Sequence, residues 1–189
     1  GGAWQHFWKS LRLFSPAQWS SLPGVIMPGG GNYYPTREET IQYLKEYELK
    51  YQLPVKRPAL VQSVVRTENG FQLRTSEGLF ETKTVVSATG SFDNPFVPQY
   101  PGMEKFQGKI FHSSQYVTPD PFKGRRVAVV GEGNSGAQIL AEISLITETI
   151  WITLEEPRFL ADHIDGRYLF DAATQMYEAK KQGKAYKSP

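Results

Sequence analysis

One stretch constrains this chain more than any other. Val127–Glu142 reads VAVVGEGNSGAQILAE: an apolar strand, then Gly131, Gly133 and Gly136 at G-x-G-x-x-G spacing, then a helix-forming run. A strand that feeds a helix through so short a turn needs glycines. Gly131 permits the turn, Gly133 lets backbone approach a pyrophosphate, and Gly136 lets helix and strand pack closely. The helix start offers free N–H groups and the positive end of its dipole to phosphate. Gly131, Glu132, Gly133, Asn134, Ser135 and Gly136 are therefore the candidate dinucleotide contacts. The spacing predicts a βαβ unit: strand Arg126–Val130, helix Asn134–Ser144 with Ile139, Leu140 and Ile143 facing the sheet, and strand Thr149–Thr153.

Ribose specificity is read at the end of the second strand of such a unit. WITLEEPRF places Glu155 and Glu156 there, where a carboxylate accepts hydrogen bonds from a free 2′-hydroxyl and repels a 2′-phosphate. Arg158, close by, argues the other way. NADH and NADPH both stay open on these residues.

A glycine turn of this kind usually opens its domain, yet here it comes late. The residues before it are organised. Asn69-Gly70 and Glu77-Gly78 divide an alternating stretch into an antiparallel meander, supplying positive φ for tight turns, and a buried strand is expected over Val85–Ala88, ending at Thr89-Gly90. Thr36 and Glu39 form a capping-box pair at the start of a helix that Pro54 stops, with Ile41, Leu44 and Tyr51 near one face. The first 35 residues lack a period and read as ordered loops with one short helix. Residues 91 to 124, rich in proline, read as an irregular linker, and a last helix is expected from about Tyr168 to Lys181.

Composition narrows the chemistry. The 189 residues contain no cysteine, so dithiol redox, thiolate metal sites and cysteine nucleophiles have no residue to act through here. His6, His112 and His163 show no metal-ligand spacing, and no metal is expected. A net charge of +2 without a basic block argues against nucleic acid. No apolar run approaches the roughly 18 residues of a membrane span, and GGAWQHFWKS lacks the regions of a signal peptide. A cytoplasmic protein is expected.

Several further segments carry a resemblance. GGAW at Gly1–Trp4, YPTREETIQYL from Tyr34, VVSATGSFDNPFVP from Val85, and FQGKIFHSSQY with Phe106, Gly108, His112 and Tyr116 occur in the order found in flavin-containing monooxygenases. The last matches that family's fingerprint F-x-G-x-x-x-H-x-x-x-(F/Y/W). GGAWQHFWKSLRLFSPAQWSSLPG and PRFLADHIDGRYLFDAAT look most like the members encoded in arsenic-resistance operons.

The resemblance implies an α/β protein with two Rossmann-like dinucleotide-binding domains, for FAD and for NAD(P)H, both incomplete in this chain. It places a partial FAD domain at 1–90, lacking its first βαβ unit, a linker at 91–123 and the NAD(P)H domain at 124–189. Gly1, Gly2, Trp4 and Gln5 would line FAD, Ala88, Thr89 and Gly90 would approach it at the domain crossover, and the backbone near Val64 would face its adenine. The implied reaction passes hydride from NADH or NADPH to FAD, forms a C4a-hydroperoxyflavin with molecular oxygen, and transfers one oxygen atom to a small soft nucleophile. The resemblance singles out no catalytic side chain. It implies that His112 ties the linker to the nicotinamide domain. Trp4, Trp8 and Trp19 are candidates to stack on the flavin, with core packing the favoured reading of Trp8 and Trp19, and Tyr33 and Tyr34 read as loop anchors. The chain departs from the family at Leu154, where many members carry an arginine for the 2′-phosphate, and at Ser15-Pro16, where many carry Thr-Asn. Rival readings are a flavin-dependent reductase or NAD(P)H oxidase and a non-catalytic nucleotide-binding module.

Overall fold

A computed structural model of the chain describes residues 2–90, 92–161 and 164–185. Gly1 and His163 lie outside them. The predicted βαβ unit is present. Strand β4 (Val127–Val130) and strand β5 (Thr149–Ile152) pair in parallel, with Val127 opposite Thr149 and Val130 opposite Ile152. The crossover is helix α2 (Asn134–Ile143), which ends as Ser144 closes its last turn on Leu140. Parallel neighbours need such a crossover, because a tight turn can only reverse the chain.

Upstream, β1 (Val61–Thr67), β2 (Gly70–Thr75) and β3 (Gly78–Thr82) form the expected antiparallel meander. Thr67 pairs with Gly70 and Thr75 with Gly78, so each loop has two residues, Glu68-Asn69 and Ser76-Glu77. Positive φ falls on Gly70 and Gly78, the first residues of the returning strands, and not on Asn69. A register shift between Val61 and Ser63 bulges the start of β1.

The buried strand expected at Val85–Ala88 does not form. Strand β3 stops at Thr82, and Val86 is 86% exposed. A strand needs a neighbour to take its N–H and C=O groups, and among the described residues none lies alongside this segment. High β propensity at Val85 and Val86 does not substitute for that partner.

Helix α1 (Arg37–Lys50) starts as predicted. The Thr36 side chain accepts from Glu39 N–H, and the Glu39 carboxylate accepts from Thr36 N–H. Its packed face agrees with the expected one at Leu44, which lies against the core, but is centred elsewhere. Thr40 and Tyr43 are buried, whereas Tyr51 has left the helix and is half-exposed. Tyr43 is the anchor because its hydroxyl donates to Val25 C=O and accepts from Leu22 N–H, each at 2.7 Å, while its ring packs on Ala17 and Met27. Aromatic rings with a polar tip bury well where that tip finds partners.

The last helix, α3 (Gly166–Lys181), begins two residues earlier than predicted, because the Asp165 side chain caps it by accepting from Arg167 N–H at 2.9 Å. Short 3-10 turns occupy Ala3–Gln5, Met103–Lys105, Ser113–Gln115 and Asp120–Phe122.

The described core is two small clusters. One joins Ala17, Met27 and Tyr43. The other joins Trp8, Tyr116, Ile139 and Ile143, with Leu11, Phe122 and Val127 packed against it. The second cluster therefore unites the N-terminal segment, the irregular stretch before β4 and α2. Ile139 and Ile143 meet Trp8 and Tyr116 as well as the strand residue Val127. On the other face of β4 and β5, Val130, Ile150 and Ile152 stay largely exposed.

Candidate dinucleotide site

The glycine turn has the geometry its spacing implies. Gly131 takes φ +111°, a conformation that side chains disfavour. Its N–H donates to Ile152 C=O at 2.9 Å, which holds the turn beside the end of β5. A Cβ on Gly136 would stand 2.8 Å from the Gly131 carbonyl oxygen, inside the closest approach of real atoms. Glycine at 136 is thus required by contact with the turn's own backbone. Gly133 is the helix N-cap and has open space where a side chain would project.

The first intrahelical bond runs from Ala137 N–H to Gly133 C=O. The N–H groups of Asn134, Ser135 and Gly136 precede it, and among the described residues no side chain caps them. No acidic residue sits in that first turn. Such an end holds free donors and partial positive charge, which suits a phosphate. Trp151 braces the turn, its indole N–H donating to Gly131 C=O at 2.8 Å, and its ring lies 6.1 Å from that of Phe159. The role of Trp151 was not legible in the sequence, where it reads as one more apolar strand residue.

Glu132 points across the turn toward the end of β5, where its carboxylate accepts from Glu155 N–H at 3.4 Å. Glu155 and Arg158 are both exposed in the segment that follows.

The residues expected to face a flavin are arranged partly together. Trp4 and Gln5 sit in the first 3-10 turn, whose carbonyls accept from the Arg37 guanidinium at 2.9 and 2.6 Å. Trp4 packs edge-on against Phe7 at 5.3 Å, and Phe7 against Phe92 at 4.7 Å. That aromatic chain carries the Trp4 turn as far as Phe92, and no described contact brings Ala88, Thr89 or Gly90, the last at φ +71°, to Trp4 or Gln5. Val64 lies in mid-β1 opposite Leu73, and no described contact brings it to the others. Of the other tryptophans, Trp8 is 4% exposed and is core, while Trp19 is 40% exposed and is not. A cleft of about 490 Å³ lies at the end of the meander, lined by Thr67, Asn69, Phe71, Glu81 and neighbours, and includes none of the candidate cofactor-binding residues.

The fingerprint residues have separable jobs. The Phe106 ring lies where a side chain on Gly108 would be, 2.4 Å from the nearest ring atom. His112 accepts from Ser114 N–H through Nδ1 at 3.2 Å and caps its own 3-10 turn. Among its described hydrogen bonds all partners are local, so the tie expected of His112 falls to Tyr116. The Tyr116 hydroxyl donates to Glu142 of α2 at 2.8 Å, and the Ser10 hydroxyl donates to the other oxygen of that carboxylate. Burial, and then the Glu142 carboxylate, push the Tyr116 phenol well above the usual tyrosine range.

A second tie joins α3 to the N-terminal loops. The Arg167 guanidinium is 2.9 Å from the Asp165 carboxylate, which also accepts from the Tyr34 hydroxyl, while Gly166 N–H donates to Phe14 C=O at 3.0 Å. Tyr33 bonds Glu39 at 2.7 Å, so both tyrosines are loop anchors as expected. Hydrogen bonds from Arg167, then from Tyr34, hold Asp165 down at about 2. A carboxyl with a depressed folded-state pKa contributes stability that is complete above its unfolded value near 4 and disappears as pH falls toward 2. Acid unfolding of the wild-type chain is therefore expected to steepen between about pH 4 and 2 relative to Asp165→Asn. Unfolding midpoints measured across that range check this; parallel curves would show that the tie contributes nothing.

Comparison with known proteins gives these features a family. The model of the pyridine nucleotide-disulphide oxidoreductases matches residues 1–179. The chain belongs to that family. A flavin-containing monooxygenase from Stenotrophomonas maltophilia superposes with a TM-score of 0.84 at 48% identity, covering 100% of this chain and 59% of that one. An uncharacterized CzcO-like oxidoreductase of Geobacillus kaustophilus is 36% identical over 172 residues, covering 90% of this chain and 49% of its own length. Indole-3-pyruvate monooxygenase YUCCA6 of Arabidopsis thaliana is 36% identical over 141 residues, covering 70% and 34%. The resemblance to flavin-containing monooxygenases is met. The chain spans about half the length of the first curated relative. The family's name includes disulphide chemistry, but these 189 residues hold no cysteine to perform it. No described helix is long and apolar enough to cross a membrane.

Proposed function

We propose that this chain carries the nicotinamide-nucleotide site and part of the flavin site of an FAD-dependent NAD(P)H oxidoreductase of the monooxygenase type. The observation that carries the reading is the α2 N-terminus: three uncapped N–H groups behind a glycine turn whose contacts exclude a side chain at 136. Residues 124–189 would form the nicotinamide part, 1–90 the flavin part and 91–123 the link between them.

FAD, when bound, supplies the redox chemistry, accepting hydride from NAD(P)H and activating oxygen for transfer to a small soft nucleophile. The protein's share is to bind, orient and exclude water. Asn134, Ser135 and Gly136 would hold the nicotinamide dinucleotide's phosphates through their N–H groups. Trp4 and Gln5, fixed by Arg37, would line the flavin together with the Ala88–Gly90 backbone. Among the described residues there is one strand–glycine–helix unit, and it is assigned to the nicotinamide nucleotide. The fit to FAD is accordingly partial, and nicotinamide nucleotide should be the better-held ligand of this chain.

The test is equilibrium binding of NADH, NADPH and FAD to the purified chain, with flavin absorbance followed after desalting. Saturable nicotinamide-nucleotide binding is the expected result. A folded chain that binds none of the three would sink the reading.

A further inference from the structure

We infer that the nicotinamide site selects the dinucleotide without a 2′-phosphate, and that Glu132 acts with Glu155 as the selecting pair. The inference rests on the nucleotide-site reading above.

Ligands of open α/β sheets sit outside the carboxyl ends of the strands, and the adenosine ribose is read beyond the second strand of the unit. Here those ends are Val130 and Ile152, held side by side by the Gly131 N–H bond to Ile152 C=O. The Glu132 side chain leaves the turn at this place and reaches the backbone of Glu155. Two carboxylate-bearing residues from different elements therefore meet beside one strand end. The sequence shows Glu155 near the ribose position; only the fold brings Glu132 to it.

A bond of 3.4 Å from a single N–H leaves most of the acceptor capacity of the Glu132 carboxylate unused. That capacity matches a ribose hydroxyl, a donor. It opposes a phosphate monoester, which presents acceptors and negative charge.

Among the described residues, Glu132, Glu155 and Glu156 form no ion pair. Arg125 and Arg126 precede β4 and lie at the opposite ends of the strands. Arg158 is the one nearby cation in the segment after β5, set against three glutamates. Leu154, where a phosphate-binding arginine would be useful, is 92% exposed and apolar.

The test is calorimetric titration of the full chain with NADH and with NADPH at low salt. NADPH is expected to bind at least about tenfold more weakly, with the gap shrinking as salt screens the carboxylates. Glu132→Gln and Glu155→Gln should each narrow the gap, chiefly by strengthening NADPH. Both positions are exposed, so these isosteric changes leave packing intact. Arg158→Gln should not abolish the preference for NADH. Equal or tighter binding of NADPH by the wild-type chain would overturn the inference while leaving the nucleotide site standing. A gap that neither glutamine variant changes would overturn the role of the pair. Binding of neither nucleotide would remove the site and the inference together.

Discussion

Trp8→Ala is expected to lower the stability of the chain by about 3–5 kcal/mol, the cost of truncating a buried tryptophan. Trp8 is 4% exposed and its ring lies 6.2 Å from that of Tyr116. Its neighbours come from separate parts of the chain, so the space it leaves cannot be filled by one local shift. Tyr116 belongs to the irregular stretch before β4 and Ile139 and Ile143 to α2. The clusters are small, which makes the loss a large share of the total, since whole domains hold only about 5–15 kcal/mol. Urea unfolding followed by far-ultraviolet dichroism measures it. Trp19→Ala, at a 40% exposed position, serves as the control and should cost less than about 1 kcal/mol. A Trp8→Ala chain as stable as that control would mean the Trp8 cluster does not hold the segments together.

The second large effect is on binding. Gly136→Val puts a branched side chain where a Cβ already meets the Gly131 carbonyl at 2.8 Å. The obstacle is backbone, so the turn or the helix must move. Overpacking of this kind costs about 1–3 kcal/mol in stability. The displaced elements are the ones that aim the N–H groups of Asn134 and Ser135, so nicotinamide-nucleotide affinity should fall by about a hundredfold, as for the loss of two hydrogen bonds to a charged group at about 1.5 kcal/mol each. Binding measured on the folded variant checks this. An affinity within about threefold of wild type would show that the turn is not the phosphate cradle. Helix propensity works against the result, because valine is intrinsically favoured over glycine in a helix interior. A loss of affinity would therefore report the close contact and not a weakened helix.

What could be read in the sequence was what neighbouring residues decide. The β4–α2–β5 unit, the Thr36–Glu39 cap and both hairpins depend on patterns a few residues long, and all are present. The strand expected at Val85–Ala88 depended on a partner that no local pattern reveals. The joint at Glu142 was hidden for the same reason: Ser10 lies 132 residues away in sequence, and a serine beside a lysine carries no signal of its destination. His112 was distinctive by type, but it spends its ring nitrogen on its own turn. Tyr116 looked like a permissive aromatic position, yet its hydroxyl makes the long-range bond. In the candidate site, the glycines were legible because turn geometry requires them. Trp151 and the reach of Glu132 were not, because both depend on which strand lies beside the turn.

Glu142 and the uncapped N–H groups at Asn134 ride on the same helix, roughly 12 Å apart at 1.5 Å per residue. A helix this short behaves as a stiff rod, so its far end sets the angle of its near end. That far end is pinned by two hydroxyls, from Ser10 and Tyr116. The N-terminal segment is therefore part of the mounting of a turn far removed from it in sequence. Substitutions around Ser10 can retune that turn's aim without touching anything it holds.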